Sequence, residues 1–277
     1  MSIAFYNGKF MPVSEVKIPL TDRAVFFGDG IYEALIARRG IPHFIDRHIN
    51  RFFDNASLLG ISFDMSKDEL KALILRGLEL SGEEVAFIYF QLTKFAEKRI
   101  HACPKSKKYN FLMTVTAQSL PSPEKRLKLV TYPDLRYRYC NIKTLNLLPS
   151  VIASEYAENK GADEAVFYRG DNVTECAHSN ISAVIDGILY THPKCELILP
   201  GIAREALLDE CRRLGIPRRE EAFTKDMLYS ADALLVTSST KICQLAESID
   251  GKKILTSSPE ALFLCENLHK NFIEITK

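Results

Sequence analysis

The segment Cys140-Asn141-Ile142-Lys143-Thr144-Leu145-Asn146-Leu147-Leu148-Pro149 places one lysine among apolar and small neutral residues. Its nearest cations, Arg136 and Arg138, lie just upstream. Poor hydration of such a lysine disfavours the ammonium relative to the neutral amine, and a neutral lysine amine is a nucleophile that can form a Schiff base with a carbonyl. The bland alternative is a strand-end lysine that lays its stem along apolar surface and keeps its head in water. About thirty residues on, Asn172-Val173-Thr174-Glu175-Cys176-Ala177-His178-Ser179-Asn180 brings a carboxylate and several hydrogen-bonding groups. In Leu199-Pro200-Gly201-Ile202-Ala203-Arg204, Gly201 precedes an expected helix and offers no capping side chain. The backbone N–H groups of Ile202 and Ala203 then point outward, and such a terminus binds phosphate. Thr237-Ser238-Ser239-Thr240 could add hydroxyl donors, or be a plain polar loop after a strand. Arg99 and His101, two apart in an extended loop, project to one side and could grip a carboxylate.

The elements that must carry these residues mix hairpins with helices, an α+β pattern. Asn7-Gly8 reads as a hairpin turn. The glycines of Asp22 to Glu33 predict a turn feeding a strand that continues through Ala34 to Ala37. Asp46 to Leu59 reads as a helix with Ile49, Phe52, Phe53 and Ala56 on one face and Arg51 pointing away from it. A second helix opens with the capping box Ser66-Lys67-Asp68-Glu69 and stops at Gly82. Strands are expected over 84–93, 109–117, 127–132, 164–168, 180–185, 188–192 and 233–237, and helices over 150–159 and 202–214. The prolines of 118–124 mark a linker between a domain at 1–117 and another at 125–277.

At 277 residues and 47% apolar composition the chain can bury one large or two medium cores. A formal net charge of +1 argues against a nucleic-acid partner, which needs a clustered basic excess. No apolar run approaches the length of a membrane-spanning helix, and Met1 to Tyr6 lacks the regions of a signal peptide. The seven cysteines lack paired spacing, so neither a disulfide framework nor a metal site is expected and the chain reads as cytoplasmic. His43, His48, His192 and His269 show no metal spacing and read as structural or surface groups.

Taken together, the lysine segment, Val173-Thr174-Glu175, Ser179-Asn180, Leu199-Pro200-Gly201, the Thr/Ser cluster and Phe27-Gly28-Asp29-Gly30-Ile31-Tyr32-Glu33 resemble the fold-type IV pyridoxal-phosphate enzymes. That family includes D-amino acid transaminases, branched-chain transaminases and aminodeoxychorismate lyases, and the resemblance runs from Phe5 to about Gly251. It implies two domains, a smaller N-terminal α/β domain and a larger pyridoxal-phosphate domain with a mixed, β-barrel-like core. It also implies a homodimer acting on amino acids and keto acids. Lys143 would hold pyridoxal phosphate and move the substrate proton. Glu175 would partner the ring nitrogen, where a carboxylate keeps the pyridine protonated; its bland reading is a surface turn glutamate. Arg51, otherwise a solvated arginine, would join Ser179, Asn180, Ile202, Ala203, Ser239 and Thr240 in binding the cofactor.

The loop holding Arg99 and His101 resembles the carboxylate trap of the D-amino acid transaminases, where it serves the neighbouring subunit and Tyr32 completes it. The implied reaction is therefore transfer of the amino group of a D-amino acid to 2-oxoglutarate or pyruvate in a ping-pong sequence. Lys94-Phe95, His178 and Lys241 depart from that pattern, and Cys176 looks like the lyase branch. Aminodeoxychorismate lyase and branched-chain transaminase remain alternatives within the fold. A cofactor-free binding protein would need Lys143 to be structural.

Overall fold

The computed structural model describes residues 2–95, 98–102, 108–254 and 258–277. The chain divides into two units, one of Met1–Leu120, Ile142–Asn146 and Glu274–Lys277, the other of Pro121–Asn141 and Leu147–Ile273.

In the first unit, β1 (Ile3–Tyr6) and β2 (Lys9–Pro12) flank the expected turn, where Asn7 and Gly8 both take positive φ, 42° and 96°. Between β2 and the next strand the chain forms α1 (Arg23–Phe27), which the glycine-rich reading had taken as a turn. Asp22 caps α1 by accepting from the Ala24 N–H, and Gly28 ends it at φ 60°. A five-residue helix between its own start and stop signals is too short for apolar periodicity to register. Then come β3 (Gly30–Arg38), β4 (Ile41–Pro42), α2 (Ile45–Leu58), α3 (Lys67–Ser81), β5 (Val85–Lys94) and β6 (Tyr109–Ala117). The predicted capping box of α3 is present. The sheet is antiparallel with order β2-β1-β6-β5-β3-β4. Against it α2 buries Ile45, Ile49, Phe52 and Ala56. Phe52 meets Phe90 edge-on at 4.9 Å and Phe63 at 5.8 Å, and Phe63 stacks on Phe111 at 5.3 Å. Each such pair is worth about 0.5–1.5 kcal/mol beyond area burial, so this aromatic cluster fixes where α2 lies on the sheet.

The second unit holds β7 (Arg126–Pro133), α4 (Leu148–Asn159), β8 (Glu164–Arg169), β9 (Asn172–Cys176), β10 (Asn180–Ile185), β11 (Ile188–Thr191), α5 (Ile202–Leu214) and β12 (Arg218–Glu220). These are followed by α6 (Lys225–Ser230), β13 (Ala233–Ser238), β14 (Ile242–Ile249), β15 (Lys252–Lys253) and α7 (Pro259–Ile275). Its sheet runs β12-β11-β10-β13-β14-β7-β8-β9, with β15 on β14, and curls into a half-barrel. The β11–β12, β14–β7 and β7–β8 pairs are parallel and the rest antiparallel, so the sheet is mixed. β13 is buried at five successive positions, as a strand covered on both faces must be. β9 had no strand pattern in the sequence because Thr174 and Glu175 are polar; both are nonetheless buried. Among the described residues no helix is long and apolar enough to cross a membrane.

The lysine segment pairs with β3 inside the first unit. Tyr32 N donates to Lys143 O (2.9 Å), Leu145 N donates to Gly30 O (3.1 Å), and Ile31 faces Thr144 in an antiparallel bridge. This close approach requires glycine at position 30. A Cβ there would stand 2.7 Å from the Leu92 carbonyl oxygen and 2.8 Å from Leu145 Cδ1. Gly30→Ala is expected to destabilise the protein by roughly 1–3 kcal/mol, as overpacking does. Urea denaturation checks this, and an unchanged midpoint would contradict the packing argument.

Candidate active site

Lys143 is half-buried, and its Nζ lies 4.2 Å from the centroid of the Tyr32 ring. Tyr32 in turn stacks on Tyr89 at 5.6 Å. The alternation of β3 puts Tyr32 and Glu33 on opposite sides of the strand. Glu33 is fully buried and receives Arg51 through two donors, Nε to Oε1 (2.7 Å) and Nη2 to Oε2 (2.9 Å). His48 Nδ1 lies 2.7 Å from Glu33 Oε2. Burial alone would raise the Glu33 carboxyl, but Arg51 and His48 hold it well below the usual carboxylate range. Burial lowers His48, favouring the neutral ring. Arg51 therefore leaves the apolar face of α2 as predicted, yet its side chain is only 11% exposed and is no solvated arginine.

Arg99 and His101 are exposed, and they meet on one ring: the Arg99 guanidinium lies 5.2 Å from the Phe27 centroid and the His101 ring 5.3 Å from it. The backbone turns at Arg99, where Ile100 N donates to Lys98 O (3.0 Å), so the segment is not the extended run from which same-side projection was expected.

In the second unit, register and hydrogen bonds gather the other candidates. Asn180 on β10 pairs with Thr237 on β13, which sets Ser179-Asn180 at the end of the sheet that carries the loop Ser239–Lys241 between β13 and β14. Within that loop Thr240 Oγ1 lies 3.4 Å from Ser238 Oγ, which accepts from Lys241 N. Asn180 Nδ2 donates both to Glu175 Oε2 and to the Leu199 carbonyl, each at 2.9 Å, tying the start of α5 to Glu175. Gly201 is required here too: a Cβ would fall 2.0 Å from Asn180 Oδ1. No side chain caps α5, so its first turn, with Ile202 and Ala203 buried, presents backbone donors.

Glu175 is buried among donors. It takes Arg136 Nη1 in a close ion pair, and both its oxygens accept from Leu199 N at 3.1–3.2 Å. Arg136 also grips Asp134 with a two-pronged contact, 2.9 Å on each side, and lies 4.4 Å from the Phe167 ring centroid. Burial pushes Glu175 up to about 7, against the pull of Arg136 and Leu199 N.

A second buried acid, Glu164, accepts from Ser179 Oγ, from His178 N (3.1 Å) and from Lys241 Nζ (2.9 Å). Burial would raise Glu164, but His178 and Lys241 hold it low. Ser179 thus spends its donor on Glu164, and the two departures, His178 and Lys241, lie 3.4 Å apart beside it.

Sequence reasoning had assigned no role to Glu33, Asp134 or Glu164 and had named Arg136 only as a neighbour of Lys143. A detectable signal was the lone acid at the head of an apolar strand, as in Glu164-Ala165-Val166-Phe167. Asp134 and Arg136, two apart after a strand, gave no comparable sign. Among the described residues no cluster is suited to a metal ion.

The residues fit pyridoxal phosphate unit by unit. The second unit offers an uncapped helix terminus for a phosphate and a buried carboxylate for a ring nitrogen. The first offers a half-buried lysine amine.

Comparisons with known proteins agree. The family model described as amino-transferase class IV matches residues 30–249. A D-alanine aminotransferase of Staphylococcus epidermidis is 36% identical over 92% of this chain and 91% of its own length. One from Bacillus licheniformis is 34% identical over 93% and 92%. In fold, a branched-chain aminotransferase of Thermoproteus uzoniensis superposes with a TM-score of 0.91 at 20% identity, covering 99% of this chain and 96% of that one. A putative 4-amino-4-deoxychorismate lyase of Legionella pneumophila gives 0.86 at 24% identity, covering 94% and 97%. A match over most of the chain, with relatives above one-third identity along nearly all of it, means that this chain belongs to the class IV amino-transferases and is a pyridoxal-phosphate-dependent aminotransferase.

Proposed function

We propose that this enzyme transfers the amino group of a D-amino acid to a 2-keto acid, 2-oxoglutarate or pyruvate, in a ping-pong sequence. We further propose that it works as a cytoplasmic homodimer in which Arg99 and His101 serve the partner's site. The observation that carries the stereochemical part is the convergence of Arg99 and His101 on Phe27, which brings a guanidinium and an imidazole against one ring. The relatives named D-alanine aminotransferase support the same reading.

Pyridoxal phosphate, when bound, supplies the electron sink that stabilises a carbanion at the substrate α-carbon. Lys143 holds it through the side-chain amine and then carries the proton taken from that carbon. Tyr32, under the amine, limits where that amine can swing. Glu175 would partner the ring nitrogen, with Asn180, Leu199 N and Arg136 fixing the orientation of its carboxyl. Ile202 and Ala203 N–H groups would bind the phosphate, and the hydroxyls of Ser239 and Thr240 and the guanidinium of Arg51 would add to it. Ser179 acts at one remove, through Glu164. The Arg99 fork takes the α-carboxylate in a bidentate grip that lysine cannot reproduce, with His101 and Tyr32 beside it. With the carboxylate fixed on that side, the α-hydrogen of a D-substrate would face Lys143 and that of an L-substrate would face away.

Three outcomes are expected. Purified enzyme is yellow, and borohydride reduction followed by peptide mapping finds the cofactor on Lys143, while Lys143→Ala loses transamination by several orders of magnitude; label on another lysine would refute the assignment. D-alanine and D-glutamate act as donors, with L-enantiomers at least about a hundredfold slower, roughly 2.7 kcal/mol of barrier. Arg99→Lys weakens D-substrate turnover and leaves the cofactor spectrum intact. Equal turnover of L-leucine or L-glutamate would sink this reading, and pyruvate released from aminodeoxychorismate without an acceptor would assign lyase activity instead. Finally, mixing inactive Lys143→Ala with an inactive Arg99 variant restores activity in heterodimers; demonstrated subunit exchange with no recovery would rule out the shared site.

A further inference from the structure

We propose that Arg23 is a positioning residue for substrate binding: it clamps the backbone of the Arg99–His101 segment so that these side chains meet the substrate carboxylate in register. The proposal rests on the reading of Arg99 and His101 given above. Arg23 is only 5% exposed, and its three prongs are all engaged. Nε donates to Asp29 Oδ2 (2.7 Å), Nη1 to the Ile100 carbonyl (2.6 Å) and Nη2 to the His101 carbonyl (3.0 Å). A planar fork can hold a carboxylate and two successive carbonyls at once, whereas an ammonium cannot span them.

The support under this clamp is itself fixed. Asp22 Oδ1 caps α1, and its buried Oδ2 accepts from Thr93 Oγ1 (2.7 Å) and Asn110 Nδ2 (2.6 Å), locking the helix to β5 and β6. α1 then presents Arg23 and Phe27 together, with the Arg23 guanidinium 4.7 Å from the Phe27 centroid. Phe27 is the ring on which Arg99 and His101 rest. Asp29 is tied back by Lys94, whose Nζ lies 3.5 Å from Oδ1 and whose N–H donates to the Asp29 carbonyl (3.2 Å). A segment with no strand or helix of its own is therefore held at its backbone by Arg23 and under its side chains by Phe27. A misplacement of about 1 Å in such a grip can cost up to about a hundredfold in rate.

The test compares Arg23→Gln, Arg23→Lys and Asp29→Asn with Arg99→Lys in the holoenzyme. It measures kcat and KM for D-alanine, the cofactor spectrum, and hydrogen–deuterium exchange of the peptide spanning 98–102. Arg23→Gln is expected to raise KM about tenfold with kcat within about twofold, to leave the spectrum unchanged, and to speed exchange of that peptide. Arg23→Lys and Asp29→Asn fall between it and wild type, and carry the test if Arg23→Gln does not fold. A lower melting temperature with KM and exchange unchanged would make Arg23 merely structural and overturn the clamp. A raised KM with no change in exchange would overturn it as well. If Arg99→Lys leaves KM unaltered while Arg23→Gln speeds exchange, the carboxylate reading has failed and only the clamping of the segment survives.

Discussion

A carboxylate withdrawn from water is tolerated only when donors and cations surround it. Among the described residues, Glu33, Asp134, Glu164 and Glu175 are acids buried on those terms. Glu33 has Arg51 and His48, Asp134 has Arg136 and Arg169, and Glu164 has Lys241 and Ser179. In each of these the neighbours outweigh burial and the group stays low. Glu175 differs because its cation is shared: Arg136 commits two prongs to Asp134 and one to Glu175. Burial therefore wins, and Glu175 sits near 7. An acid left short of positive charge is the one with most to gain from a cationic ring nitrogen, which is the partner the proposed function gives it.

The same constraint explains what could be read from the sequence. The hairpin at Asn7-Gly8 was legible because the turn needs positive φ at both central residues, which this pair supplies. Helices α2, α3 and α5 were legible from apolar spacing and termini. β9 was not, since its two central polar residues belong to a buried network rather than to a solvent face. α1 escaped because capping, not periodicity, defines it. Of the candidate site, the residues named from the sequence are those lying in runs of characteristic order. Glu33, Asp134, Arg136 and Glu164 were given no role from the sequence because their partners are not legible there, and such partners appear only once strands are in register.

Register also accounts for the placement of the lysine. Lys143 follows the 118–124 linker in sequence, yet its strip belongs with the first unit because it hydrogen-bonds the start of β3. Gly30 permits that contact and Tyr32, two residues on, receives the amine. One short pairing thus sets the backbone, the side chain beneath the lysine and the need for a glycine, so a glycine over a hundred residues upstream is packed against the lysine segment.

The departures from the D-amino acid transaminase pattern follow the logic of paired charge. Lys94 faces Asp29, and Lys241 faces Glu164; both lysine side chains are about one-fifth exposed or less. A cation already opposite a buried or half-buried acid adds little net field, so neither supplies a bare positive charge for an anionic substrate. We read Lys241 as support for the Glu164–Ser179 corner and Lys94 as support for Asp29. Under the proposed function, recognition of the substrate carboxylate is then left to Arg99 and His101, whose exposed side chains lie over Phe27.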